Sequence, residues 1–99
     1  MIAERVEYHQ GAIADVKGAV GWYQKRSPKV ALDFIGELHR AADTIRQAPE
    51  RWPMGRNNTR RFLLWRFPFA IIYSEQDSVV TIWAVAHGSR RPGYWTSRL

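Results

Sequence analysis

The amino-acid sequence predicts an α+β domain: an N-terminal strand, an antiparallel helical hairpin, and a three-stranded antiparallel meander, forming a curved sheet with the helices on one face. Three observations support this class. A short alternating segment begins the chain, apolar residues then recur at helical spacing, and β-branched and aromatic residues dominate from residue 60 onward. A chain of 99 residues suffices for one domain, covering residues 1–99, with one small core.

The first predicted elements are a strand and an amphipathic helix. Residues 2–8 (IAERVEY) alternate imperfectly between apolar and polar, which is typical of a short strand. The following residues carry an apolar stripe at helical spacing, formed by Ile13, Val16, Val20 and Tyr23. The same spacing turns Asp15 away from the rest of the domain.

A second helix is predicted to begin at Ser27-Pro28, an N-cap residue followed by proline at the first helical position. Its apolar stripe consists of Phe34, Leu38, Ala41 and Ile45. Pro49 predicts an end near Gln47, which gives a helix of about twenty residues and roughly 30 Å. A connection of about three or four residues forces the two helices into an antiparallel hairpin.

Three strands are predicted after the Pro-, Gly- and Asn-rich loop of residues 49–59, namely residues 60–66, 69–74 and 79–86. Their connections are short enough for hairpins, so the strands form an antiparallel meander. Alternation along the last strand places Val80, Ile82, Ala84 and Ala86 beneath the helices and the other set on the open face, which comprises Val79, Thr81, Trp83, Val85 and His87. In residues 60–66 the alternation does not decide whether Arg60 or Arg61 faces the open side.

The charge distribution indicates a polyanionic partner. The net charge is +6, and residues 1–50 are balanced with seven basic and seven acidic side chains. Residues 51–99 carry eight arginines against only Glu75 and Asp77, and no lysine follows Lys29. The arginine guanidinium forms bidentate hydrogen bonds with phosphates and carboxylates and stacks on flat rings. Nucleic acid or an acidic protein is therefore the expected partner.

Several classes of protein are excluded or disfavoured by composition. Without cysteine the chain forms no disulfide, thiolate zinc site or iron–sulfur cluster and has no cysteine nucleophile. The first ten residues lack a signal-type apolar stretch, and no apolar run is long enough to span a bilayer, so we expect a cytoplasmic protein without membrane contact. The three histidines are far apart and no carboxylates cluster, so no metal or other cofactor is expected.

The stretch AVAHGSRRPGYW, residues 84–95, contains the candidate chemistry. Cleavage of RNA through its 2′-hydroxyl requires a base, a cation and an acid. His87 can act as base or acid and Tyr94 is a second candidate acid, while Arg61 and Arg90 can supply charge. Further candidates for contacting nucleic acid or an acidic protein are Arg60, Arg66, Arg91, Arg98 and Trp95. The structural alternatives are a hydrogen-bonded histidine at a strand end and aromatic residues that anchor the tail to the sheet.

Four stretches, in order, resemble the RelE/ParE superfamily of bacterial toxins, especially its plasmid stabilisation proteins. They are AVGWYQKRSPKVALDFIGEL, IRQAPERWP, RRFLLWRFPFAIIY and AVAHGSRRPGYW, together with the overall layout of elements. The resemblance implies the toxin of a type II toxin–antitoxin module, which inhibits growth and is neutralised in a hetero-oligomer by a small acidic antitoxin.

The superfamily is divided in mechanism. RelE-like members cut mRNA on the ribosome without a metal, whereas ParE-like members inhibit DNA gyrase and are not nucleases. By resemblance, Arg61, Arg90 and Tyr94 match positions of the nucleases, but Ala70 stands where those nucleases place an arginine. We therefore favour ParE-like action on gyrase over a RelE-like mRNA endonuclease. A basic nucleic-acid-binding module without toxicity is the third hypothesis.

Overall fold

The computed structural model describes every residue from Met1 to Leu99. The helices and strands, in chain order, are β1 (Arg5–Tyr8), α1 (Gln10–Arg26), α2 (Pro28–Gln47), β2 (Arg60–Leu63), β3 (Phe69–Gln76) and β4 (Val79–His87). Short 3-10 turns lie at Pro49–Arg51, Arg56–Asn58 and Thr96–Arg98. The predicted α+β order of elements is confirmed. Neither helix combines the length and the apolarity needed to cross a membrane.

Local caps determine where the helices begin and end. The Nδ1 atom of His9 accepts a hydrogen bond of 2.9 Å from the amide of Gly11 and so caps α1. Ser27 ends α1 and begins α2, because its amide donates to the carbonyl of Tyr23 at 2.7 Å and its hydroxyl accepts from the amide of Val30 at 3.3 Å. The connection is therefore the single residue Ser27, shorter than predicted.

The sheet has four strands in the order β1-β4-β3-β2. The predicted antiparallel meander of β2, β3 and β4 is confirmed, and β1 adds to it in parallel beside β4, with Arg5 opposite Val79 and Tyr8 opposite Ile82. The turn between β3 and β4 has φ of 53° at Asp77 and 64° at Ser78, as a two-residue type I′ hairpin requires.

The main core lies between the helical hairpin and one face of the sheet. An aromatic cluster fills its centre, with ring centroids 5.2 Å apart for Tyr23 and Phe67 and 5.1 Å apart for Phe34 and Phe69. Tyr73 is fully buried and its hydroxyl donates to the carbonyl of Pro49 at 2.6 Å. This bond satisfies a polar group within the core and fixes the loop that follows α2.

A β-bulge in β4 changes which side chains face the helices. Tyr73 pairs with Ile82, but Ile72 pairs with Ala84, so Trp83 is an extra residue in β4. Val80 and Ile82 lie under the helices as predicted. Beyond the bulge the expected faces are exchanged, because Val85 joins the main core, whereas Ala84 packs with Ala70 and Ile72 on the opposite face. The prediction that Ala84 lies beneath the helices and Val85 on the open face is therefore wrong.

The strand predicted over residues 60–66 ends at Leu63. Leu64 is buried in the core, and the amides of Trp65 and Arg66 donate to the Glu37 carboxylate on α2. The Arg66 guanidinium also pairs with Asp33 on α2 at 3.1 Å. These bonds hold Trp65 and Arg66 against α2, so the last backbone bond toward β3 is the one from the Leu64 amide to the carbonyl of Phe69, at 2.9 Å.

Candidate functional site

The open face of the sheet forms a hollow of about 490 Å³ lined by Arg56, Arg61, Arg90 and Arg91, which we name the arginine hollow. Its apolar floor includes Ala70, Ile72 and Ala86, and Tyr94 and Trp95 line it from the tail. The arginines come from three parts of the chain: the loop before β2, β2 itself, and the segment after β4.

The arginine hollow is positively charged and its cations are available. None of its lining residues is acidic. None of the four arginines takes part in an ion pair within the chain, whereas Arg5, Arg46, Arg66 and Arg98 are each paired with a carboxylate. Like charges around one concave surface, without internal partners, create a potential that attracts anions.

Arg61 is the arginine of β2 that faces the hollow. It stands opposite Ile72 in the register, and Ile72 forms part of the open-face floor. Arg60 points to the other face, where its guanidinium donates to the carbonyls of Glu50 and Trp52. This resolves the choice that alternation left open between the two residues.

The tail is attached to the open face by its aromatic residues. Tyr94 and Trp95 pack against Ala70, Ile72 and Ala84. The guanidinium carbon of Arg90 lies 3.8 Å from the centroid of the Tyr94 ring, within the range of a cation–π contact. Tyr94 thereby holds the Arg90 guanidinium beside the hollow.

Asp15 of α1 holds Tyr94 and the tail in place. Its Oδ2 accepts from the Tyr94 hydroxyl at 3.0 Å, from the Arg98 guanidinium at 2.8 Å and from the Val85 amide at 3.1 Å. Arg98 also donates to the carbonyl of Trp83 at 2.9 Å. The Asp15 and Arg98 side chains are only 7% and 16% exposed, so this is a nearly buried ion pair.

The expected outward position of Asp15 is therefore wrong, and the sheet explains why. The pairing of β1 ends at Tyr8 opposite Ile82, so the edge of β4 has no strand partner beyond that point. The amide of Val85 and the carbonyl of Trp83 are satisfied instead by the side chains of Asp15 and Arg98. α1 and the tail thus replace a strand at this edge.

The environment of Tyr94 stabilises its neutral phenol. Burial, with the nearby negative charge of Asp15, raises the pKa of Tyr94 to about 12. The hydroxyl donates its hydrogen to Asp15 at 3.0 Å. At neutral pH the proton is therefore held between two groups of the chain itself, a position unfavourable for a general acid.

His87 lies on the helix-facing side of the sheet, not on the open face as predicted. The bulge at Trp83 puts it opposite Phe69, and the two rings meet edge to face with centroids 5.0 Å apart. Its Nδ1 accepts from the amide of Ser89 at 2.9 Å. His87 forms one rim of the hollow, but its ring packs against the helix-side core.

Five of the predicted site residues lie together at the arginine hollow, namely Arg61, Arg90, Arg91, Tyr94 and Trp95. The side chains of the other predicted site residues are directed elsewhere. Arg60, Arg66 and Arg98 each bond elsewhere, to loop carbonyls, to Asp33 and to Asp15 respectively. Arg56 also lines the hollow, although it was not among the predicted site residues. The only signal for it was the arginine excess of residues 51–99, which does not distinguish one arginine from another.

Comparison with known proteins agrees with this architecture. Residues 6–92 match the family described as the ParE toxin of the type II toxin–antitoxin system parDE. A solved structure described as the chromosomal ParDE TA system from P. aeruginosa superposes with a TM-score of 0.75 and 18% sequence identity, covering 88% of this chain and 96% of that one. No curated protein sequence matches the chain. Because the family match spans most of the sequence, the chain belongs to the ParE toxin family of type II toxin–antitoxin systems.

Proposed function

We propose that this toxin inhibits DNA gyrase through a surface centred on the arginine hollow, and that a small acidic antitoxin neutralises it. The observation that carries the proposal is the hollow itself, where Arg56, Arg61, Arg90 and Arg91 line one concave surface without an acidic neighbour. Such a surface binds phosphates or carboxylates, and family membership supplies the context of a toxin and its antitoxin.

The arrangement around the hollow favours binding over cleavage. The imidazole of His87 packs on Phe69 on the opposite side of the sheet, and the proton of Tyr94 is held by Asp15. A nuclease requires a base and an acid within hydrogen-bond reach of the same phosphate that the cations contact. The arginines of the hollow supply the cations. Neither the His87 imidazole nor the Tyr94 hydroxyl is free to act as a base or an acid beside them.

The test is induced expression in a bacterial host with two readouts: gyrase-dependent DNA breakage and cut sites in mRNA. We expect growth arrest with DNA breakage and uncut transcripts. The double variant Arg61→Gln and Arg91→Gln removes two charges of the hollow, and we expect DNA breakage to fall by about tenfold or more.

Arg40→Gln is the matched control, since Arg40 is an exposed arginine on α2 without an ion pair and outside the hollow. We expect it to remain as toxic as the wild type. His87→Ala separates the mechanisms, because a gyrase inhibitor of this design keeps its toxicity and a nuclease that uses this imidazole loses it. Cut transcripts together with a loss of toxicity in His87→Ala would establish the RelE-like alternative instead.

Antitoxin neutralisation is tested with the protein encoded by the reading frame that adjoins the gene. We expect a stable complex with the toxin and restored growth on coexpression. Normal growth at high levels of the wild-type chain alone would refute the toxin proposal and favour a plain nucleic-acid-binding module.

A further inference from the structure

Two large apolar side chains are exposed at the end of β2, beside the arginine hollow, and we name them the edge patch. Leu63 stands opposite Ala70, which belongs to the floor of the hollow, so Leu63 lies on the open face, where it is 65% exposed. Trp65 follows two residues later and is 92% exposed. Because β2 is the outermost strand of the sheet, both residues of the edge patch are accessible to another molecule.

The backbone on both sides of Trp65 is anchored. Leu64 and Phe67 are buried in the main core. The Glu37 carboxylate of α2 accepts hydrogen bonds from the amides of Trp65 and Arg66, the latter at 3.0 Å. The indole is thus presented from a rigid base, which reduces the entropy that binding through this side chain would cost.

The exposure of Trp65 is not required by the fold. Single exposed apolar residues are ordinary, but Trp65 stands beside a second one and next to a charged hollow. An aromatic side chain contributes much of the binding energy when an interface covers it, and tryptophan is among the residue types enriched at the energetic centres of protein interfaces. The edge patch therefore has the properties of a protein-binding surface.

The charges on the two sides of the edge patch are opposite in sign. Toward the hollow, Arg61 lies on the same face of β2 as Leu63, two residues earlier. Toward α2, the carboxylate of Glu37 accepts hydrogen bonds from backbone amides and forms no ion pair, so its negative charge is not neutralised. An occupant of the patch must therefore meet a cation on one side and an anion on the other.

We propose that the edge patch is an anchor for the target protein, in which Trp65 fills an apolar pocket of gyrase and carboxylates on one side of that pocket meet Arg61. This inference rests on the proposed function, because it names the residues that hold the target assigned there. The charge of Glu37 disfavours nucleic acid and an acidic antitoxin as occupants, since both would bring more negative charge beside it. A second copy of this chain is disfavoured by the net charge of +6 on each copy.

Trp65→Ala tests the anchor, and Leu32→Ala on α2 is the matched control. Both variants remove an exposed apolar side chain, since Leu32 is 70% exposed, but Leu32 lies on another element and outside the hollow. Thermal unfolding verifies that both variants fold. DNA breakage by purified gyrase is then titrated with each toxin variant. Titration calorimetry measures the affinity of each variant for gyrase and for the purified product of the adjoining reading frame.

We expect Trp65→Ala to bind gyrase about tenfold or more weakly, and to need correspondingly more toxin for the same DNA breakage, with unchanged affinity for the antitoxin. The loss should be similar at low and high salt because the contact is apolar, whereas the loss in Arg61→Gln should become smaller at high salt. Trp65→Phe should recover part of the affinity, since a ring still enters the pocket. Leu32→Ala should act as the wild type does.

Glu37 is a positioning residue in this proposal. Glu37→Ala removes the acceptor that holds the amides of Trp65 and Arg66, and it should weaken gyrase binding about two- to tenfold. In a chain that already carries Trp65→Ala, the same change should have no further effect, because no indole remains to be positioned. Equal losses in the two backgrounds would contradict the positioning role.

Other results would overturn the anchor itself. Wild-type DNA breakage and gyrase affinity in Trp65→Ala would place the contact elsewhere on the toxin and leave the proposed function intact. Weaker antitoxin binding with full DNA breakage would assign the patch to the antitoxin. Binding of DNA without gyrase, if Trp65→Ala abolishes it, would assign the patch to nucleic acid, and a wild-type dimer that Trp65→Ala dissociates would assign it to a second copy. Failure of the wild-type chain to act on gyrase at all is a different result, because it refutes the proposed function and the anchor with it.

Discussion

Asp15 shows how much one side chain contributes to this small fold. It accepts hydrogen bonds from Tyr94, Val85 and Arg98, which lie 79, 70 and 83 residues away in the sequence. Through these bonds α1, β4 and the tail are held together at a point where the sheet has no further strand. Asp15 also supports the Tyr94 ring on which Arg90 rests.

Asp15→Ala should lower the free energy of unfolding by about 3–5 kcal/mol, because it leaves Arg98 nearly buried without its counter-charge. Asp43→Ala is the control, since Asp43 forms an exposed pair with Arg46 and its loss should cost about 1 kcal/mol or less. Urea unfolding at neutral pH measures both. Equal losses in the two variants would show that the buried pair contributes no more than a surface pair.

The raised pKa values of two buried tyrosines predict that the folded state loses stability under alkaline conditions. Burial raises the pKa of Tyr73 and of Tyr94 to about 12, above the value of about 10 expected in the unfolded chain. Between these two pH values the folded chain binds more protons than the unfolded chain. The stabilisation is therefore fully present below about pH 10 and is lost as the pH rises toward 12.

Tyr94→Phe should make stability less sensitive to pH in this range, because one of the two phenols whose pKa is raised to about 12 is removed. At neutral pH the same change should cost about 1 kcal/mol for the lost hydrogen bond to Asp15. Urea unfolding on both sides of pH 10, with tyrosinate absorbance as the titration signal, measures both effects. An unchanged pH dependence would show that Tyr94 titrates as an exposed phenol does.

At the scale of elements, the three glycines of α1 differ in whether the surrounding structure requires a glycine at that position. A Cβ atom at Gly11 would collide with the guanidinium of Arg98, which Asp15 holds in place. A Cβ atom at Gly18 or Gly21 would meet nothing within 4 Å apart from the adjoining residues and backbone of its own helix. The first glycine is required by the fold, whereas the other two weaken the helix without a compensating contact in the chain.

Gly11→Ala should therefore destabilise the protein by about 1–3 kcal/mol through overpacking, and Gly21→Ala should stabilise it by about 1 kcal/mol through helix propensity. Thermal unfolding of the two variants, followed by circular dichroism, gives the comparison. Changes of the same sign would contradict the different roles assigned to these glycines.

Elements determined by local chemistry could be predicted from the sequence. The bounds of α2 follow from the Ser27-Pro28 start and from Pro49 after its end, and the hairpin of β3 and β4 follows from its short polar turn. The parallel pairing of β1 with β4 has no local signal, since it joins residues more than 70 positions apart. The bulge also has none, because in a nearly all-apolar run an extra residue leaves the pattern unchanged.

At the scale of the whole molecule, the sequence predicted the charge of the site better than it predicted which residues form the site. The arginine excess of residues 51–99 predicted a surface for anions, and Arg61, Arg90 and Arg91 do line one hollow. Arg98 could not be distinguished from them, because its partner Asp15 lies on a helix face that the apolar spacing predicted to be outward. Which arginines remain free depends on contacts between distant parts of the chain.

The extra residue in β4 also has an evolutionary consequence. Because Trp83 is the residue without a partner in β3, its deletion would leave a regular ladder in which Ile82 stays opposite Tyr73 and Ala84 opposite Ile72, so His87 would keep its helix-facing position. The bulge would thus absorb the loss of this single codon, and the arginine hollow would keep the residues of β4 that line it.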